Sequence, residues 1–161
     1  MVDGSLCSCE VVSHSPHGPI QDHEQLLRVI VSPHHINQKT GKPTPAAFSM
    51  DDLLRRGLSL LRRQHLGDEE LARQASKLVE GKDGKAVVGV MAGTANAARS
   101  LLDETDNRAF CVFDDAQPDQ PMHATIIRSA AQSEPDLKRL RGLLMLQFGD
   151  VLSLSDAMAA G

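Results

Sequence analysis

The run Leu26-Leu27-Arg28-Val29-Ile30-Val31, nearly continuous in apolar residues and stopped at Ser32-Pro33, constrains this chain more than any other segment. A run this short, bounded by turn chemistry, suits a strand buried on both faces better than a helix, so it should lie centrally in a sheet. Ala86 to Met91, Arg108 to Phe113 and His123 to Arg128 read as further strands, the last two flanking an acidic, proline-punctuated loop. Between them the apolar spacing becomes helical. Ser49 and Asp52 resemble a capping box, and Met50, Leu53, Leu54, Leu58 and Leu61 then predict a helix to Gln64. Gly57 weakens that helix by about 1 kcal/mol relative to Ala, which leaves a break into a strand at Leu58-Ser59-Leu60 as the alternative. A second helix starts at Asp68-Glu69-Glu70 and stops at Gly81, a short Ala-rich one follows Gly93-Thr94, and another runs from Ser133 to Gly149. The fold class is α+β: a single small domain whose mixed or antiparallel sheet of about four strands is packed by roughly three to four helices.

At 161 residues the chain is long enough for one core that buries about two-thirds of its unfolded surface. Residues 23–152 should form that domain. Residues 1–22 mix Ser, Gly, Pro, His and Cys without periodicity and read as a flexible arm, while 153–161 reads as a frayed tail. The segment from Pro33 to Pro45 should be an exposed loop with its turn at Asn37 to Gly41. Seventeen basic against 21 acidic side chains, a net charge of −4, argue against a general electrostatic grip on nucleic acid or anionic lipid. With no Trp or Tyr and only four Phe, base-stacking platforms are poorly supplied. No apolar run is long enough to span a bilayer, and the start lacks the layout of a secretory signal. An odd count of cysteines (Cys7, Cys9 and Cys111) points to a reducing compartment, hence a cytoplasmic protein in which Cys111 is a small buried thiol.

Candidate chemistry is sparse. Cys7, Cys9, His14, His17 and His23 supply possible zinc ligands, but their spacing is not that of a structural site, and no metal or cofactor is expected. His123-Ala124-Thr125 matches the H-x-T element of the 2H phosphoesterases; the second copy that would complete such a site is missing. A looser constellation would join His35, His123 and Asp115 or Asp114, a carboxylate orienting an imidazole for acid–base work. Gly93-Thr94 reads as an ordinary helix cap. For partner binding, the candidates are the basic residues Arg55, Arg56, Arg62 and Arg63 and the acidic loop residues Asp114, Asp115 and Asp119.

The order Pro45-Ala46-Ala47-Phe48, Leu58-Ser59 and Pro121-Met122-His123-Ala124-Thr125-Ile126 resembles a group of small bacterial proteins without an assigned activity, over about Leu27 to Arg128. The resemblance implies a bacterial origin, an extended Leu58-Ser59, and His123 and the acidic loop as features of the group. It carries no catalytic residue. The functional expectation is therefore a non-catalytic accessory or regulatory subunit that binds another protein, against a small hydrolase or phosphoesterase using His123 with a carboxylate.

Overall fold

The computed structural model describes residues Gly4 to Ala160. Five strands, β1 (Gln25–Ser32), β2 (Leu58–Arg62), β3 (Ala86–Thr94), β4 (Phe110–Asp114) and β5 (His123–Arg128), form one antiparallel sheet in the order β3-β1-β2-β5-β4. Among the described residues four α-helices accompany it: α1 (Asp68–Lys77), α2 (Ala95–Arg99), α3 (Glu134–Phe148) and α4 (Leu154–Ala160). The two faces of the sheet carry separate apolar clusters. One gathers Leu26, Leu58, Leu60, Phe110 and Ile126 with Leu137, Leu140, Leu144 and Phe148 of α3; the other gathers Leu27, Val29 and Leu61 with Leu71 and Ala75 of α1 and Ala157 of α4. Alternate residues of β1 thus serve opposite faces, which is why its sequence is apolar almost throughout.

At β2, the strand beyond the four expected, helical periodicity misleads. The helix predicted from Ser49 to Gln64 is instead a single wide turn at Asp52–Arg56 followed by β2. Gly57 ends the turn at φ +86°, and a Cβ there would stand 2.3 Å from Thr125 Cγ2 on β5. The glycine lets the backbone reverse and approach β5 closely. Four of the five residues of β2 are then buried between β1 and β5, and burial on both faces overrides their helical spacing.

The termini also depart from expectation. Over its described part, the predicted arm is docked. Cys7 forms a disulfide with Cys111, so Cys111 is not a free thiol. Glu10 accepts hydrogen bonds from the Val112 N–H at 2.6 Å and from Arg99 and Arg108. Asp114 on β4 accepts from the hydroxyls of Ser13 and Ser15 and from the N–H groups of His14 and Ser15 at 2.8–3.1 Å. Low apolar content predicted detachment, but this segment is held by a covalent bond and polar contacts, which a hydrophobicity argument does not count. The predicted frayed tail likewise forms α4. Leu152 and Val90 exchange backbone hydrogen bonds at 2.8 Å, and a Cβ on Gly89 would meet the Leu152 carbonyl oxygen at 1.8 Å. Only a glycine permits that approach.

At the start of β1, Glu24 pairs with Arg62 of β2, both wholly buried. Arg62 donates Nε and Nη2 to the two carboxylate oxygens at 2.9 and 2.8 Å and Nη1 to the Gly18 carbonyl at 2.8 Å. Replacement of Arg62 by Met should cost about 3–5 kcal/mol in urea denaturation, because the Glu24 carboxylate is left buried without its cation. Cys7→Ser should cost about 2–4 kcal/mol by loosening the amino-terminal segment. An unchanged midpoint for either variant would contradict the role assigned to it.

Candidate functional site

β1 and β2 pair at Leu26↔Arg62 and Leu27↔Leu61 and then part. The same register would set Arg28 opposite Leu60 and Val29 opposite Ser59, yet neither pair forms. The side chain of Arg28 bridges the gap: Nε donates to the Ala47 carbonyl at 2.8 Å and Nη1 to the Ser59 carbonyl at 3.1 Å. Two adjoining cavities open along this cleft, sharing Arg28, Val29, Ser59 and Leu78. The first, of about 100 Å³, also takes in Gln74, Gln120 and His123. The second, of about 240 Å³, takes in His34, His35, Lys82 and Lys85.

His123 begins β5 and is nearly buried, with Nδ1 2.9 Å from the Asp115 carbonyl oxygen and 3.6 Å from the Asp115 carboxylate. That carboxylate accepts the Thr125 hydroxyl at 2.8 Å. The acidic loop is pinned in turn to α1. Gln120 donates to Gln74 at 2.6 Å, Gln74 donates to the Asp119 carbonyl at 3.3 Å, and Lys77 stands 3.5 Å from the Asp119 carboxylate. Asp115 and His123 therefore do come together, as the acid–base alternative required. His35 does not join them: it lines the other cavity, and its Nδ1 accepts the Val31 N–H at 3.1 Å.

Two of the candidate partner-binding residues are not on the surface. Arg62 is fully buried against Glu24, and Asp114 is fully buried as the anchor of the amino-terminal segment. A charged residue on a strand looks exposed in sequence whether or not its counterion sits inside. Burial works to raise the carboxyl pKa of Asp114, but the hydrogen bonds from Ser15, Ser13, His14 and Ala116 outweigh it and hold the value below the ordinary range. Arg55 and Arg56 are exposed and paired with Asp51 and Asp52, and Arg63 reaches Asp68 at 3.2 Å and the Leu66 carbonyl at 2.6 Å. Asp119 is exposed.

Cys7 is consumed by its disulfide, and among the described residues no group of three or more His, Cys, Asp or Glu side chains is placed to hold a metal ion. The Thr94 hydroxyl caps α2 by accepting the Ala97 N–H at 3.1 Å. Among the described residues no helix is long and apolar enough to cross a membrane. The grouping of Arg28 with Lys82 and Lys85 was missed in the sequence. The one available signal was a lone arginine inside an otherwise apolar strand, where a charge must be accounted for. No family model, no curated protein and no solved structure matches this chain.

His35 is the most perturbed imidazole of the site. Burial first, then the positive charges of Arg28, His34 and Lys85, lower its pKa to about 4. With the folded value below the unfolded one, the unfolded chain binds the extra proton between about pH 6.5 and 4. The stabilising contribution of the neutral ring is complete above that window and is lost as the pH falls through it. After discounting for partial exposure, about 1–2 kcal/mol of stability should disappear between pH 7 and 4 in the wild type but not in His35→Gln, as read from urea midpoints at each pH. Parallel pH curves for the two proteins would refute the assignment.

Proposed function

We propose that this chain is a non-catalytic accessory or regulatory subunit of a bacterial multi-protein system, acting by binding another protein. The observation that carries the reading is the separation of the two imidazoles. His123 is tied at Nδ1 to the Asp115 carbonyl, His35 is tied at Nδ1 to the Val31 N–H, and each lines its own cavity. A two-imidazole device needs both rings converging on one substrate position within hydrogen-bond reach. The cavity beside His123, at about 100 Å³, is also well under the ~300–1,000 Å³ of pockets that enclose drug-sized substrates. What remains available on the surface is charge: Arg55 and Arg56 beside the Asp52–Arg56 turn, Asp119 in the acidic loop, and the loop from Pro33 to Pro45.

The alternative, a small hydrolase or phosphoesterase, draws support from one contact, the 3.6 Å approach of the Asp115 carboxylate to His123 Nδ1. Cytoplasmic residence, suggested by the odd cysteine count, is weighed against the Cys7–Cys111 bond, since such bonds persist mainly in oxidising compartments. Thiol trapping in extracts of the native cell decides between them.

Affinity capture of the tagged chain from its native cell should recover a protein partner in fixed ratio. Arg55→Glu with Arg56→Glu should reduce that recovery about tenfold, while His123→Ala leaves it unchanged. Recovery of free monomer alone, together with phosphate-ester hydrolysis that His123→Ala abolishes, would replace this reading by the enzymatic one.

A further inference from the structure

The larger cavity of the β1–β2 cleft concentrates positive charge that no carboxylate among the described residues pairs with. Arg28, Lys82 and Lys85 line it with His34 and His35, and no carboxylate is among the residues around it. Arg62, Arg99 and Arg108 each have a carboxylate within 4.0 Å; Arg28, Lys82 and Lys85 have none among the described residues. Asp52 acts on Arg28 only through space, from beyond ion-pair reach, and is itself 3.4 Å from Arg56. Arg28 is also drawn partly out of water, which lowers its pKa. A guanidinium in that position is costly unless an anion completes its shell.

The unused donors of the cleft mark where that anion would sit. Arg28 uses Nε on the Ala47 carbonyl and Nη1 on the Ser59 carbonyl, and Nη2 has no partner among the described residues. The Nδ1 of His35 accepts the Val31 N–H, so the neutral ring carries its proton on Nε2, free to donate. The lysines at 82 and 85 are exposed at the rim, as mobile point charges. Three permanent positive charges exceed what one carboxylate would neutralise and suit a dianion with several acceptor oxygens. At about 240 Å³ the space suits a single charged group better than a whole nucleotide, for which the ~300–1,000 Å³ of ordinary ligand pockets would be needed.

We propose that the cleft between β1 and β2 is a phosphate-binding site, in which Arg28, His35, Lys82 and Lys85 hold a tetrahedral phosphate or phosphate-monoester dianion. Arg28 supplies the charged donor at the base and His35 a neutral one beside it. The two lysines close over the anion from the rim. The site stands apart from the accessory-subunit reading, since inorganic phosphate and a phosphorylated side chain present the same group.

The test is a titration of the whole protein at pH 7.5 with inorganic phosphate, with O-phospho-L-serine and with acetate, following the His35 ring protons by NMR. Saturable shifts with a phosphate compound and not with acetate are expected, the stronger response naming free anion or monoester as the natural source. The surface double variant Lys82→Ala, Lys85→Ala, which touches no core residue, should weaken binding about tenfold or more, and Arg28→Gln should abolish it. Should Arg28→Gln fail to fold, the double variant decides alone. Shifts that never saturate, an equal response to acetate, or undiminished binding by the double variant would each overturn the proposal.

Discussion

The buried cation of Arg62 is the constraint on which the architecture turns. It sits on the middle strand of the sheet with no exposure to water, and it binds Glu24 at the entry to β1 through two parallel hydrogen bonds. Its third nitrogen reaches back to the carbonyl of Gly18 and lies 3.9 Å from Asp114 at the end of β4. One side chain therefore links β2, the entry to β1, the amino-terminal segment and the far edge strand. Charges taken out of water are tolerated only when their hydrogen-bonding groups are satisfied, so the segments that supply those partners are held in place. Burial tends to raise the Glu24 carboxyl pKa, but the hydrogen bonds from Arg62 and the Gln21 N–H outweigh it, and the group stays ionised.

From that clamp the two central strands diverge. Pairing forms beside Arg62 and stops after Leu27, and Arg28 donates hydrogen bonds to the carbonyls of Ser59 on β2 and of Ala47. Arg28 lies two residues along β1 from Leu26, the partner of Arg62, yet the two arginines have opposite electrostatic situations. Arg62 is fully answered by carboxylates, whereas Arg28 has only carbonyls. Arg28 stands where the β1–β2 ladder stops, and with Lys82 and Lys85 it gives the cleft its positive character.

Much of the scaffold was legible in the residues. The burial of β1, the acidic start of α1, the Ser133 cap and Gly149 stop of α3, and the strands on either side of the acidic loop all follow from local patterns that the fold also favours. β2 was not legible as a first choice, because Leu53, Leu54, Leu58 and Leu61 satisfy a helical repeat as well as a strand that is buried on both sides. The docking of the amino-terminal segment was hidden for a different reason. Its attachment comes from Glu10, Ser13 and Ser15 meeting groups about one hundred positions away, and from a disulfide whose partners lie 104 residues apart.

What the residues determined unaided is the α+β composition, the central place of the Leu26 to Val31 strand and the positions of the principal turns, since these rest on interactions among near neighbours in the chain. Tertiary structure alone decided that Leu58–Arg62 is extended, that Arg62 and Asp114 point inward, that His35 and His123 occupy separate cavities, and that Arg28 shares a cleft with Lys82 and Lys85. Each of those outcomes depends on which distant partner supplies a counter-charge or a covering surface, and such pairings are set by packing rather than by spacing along the chain.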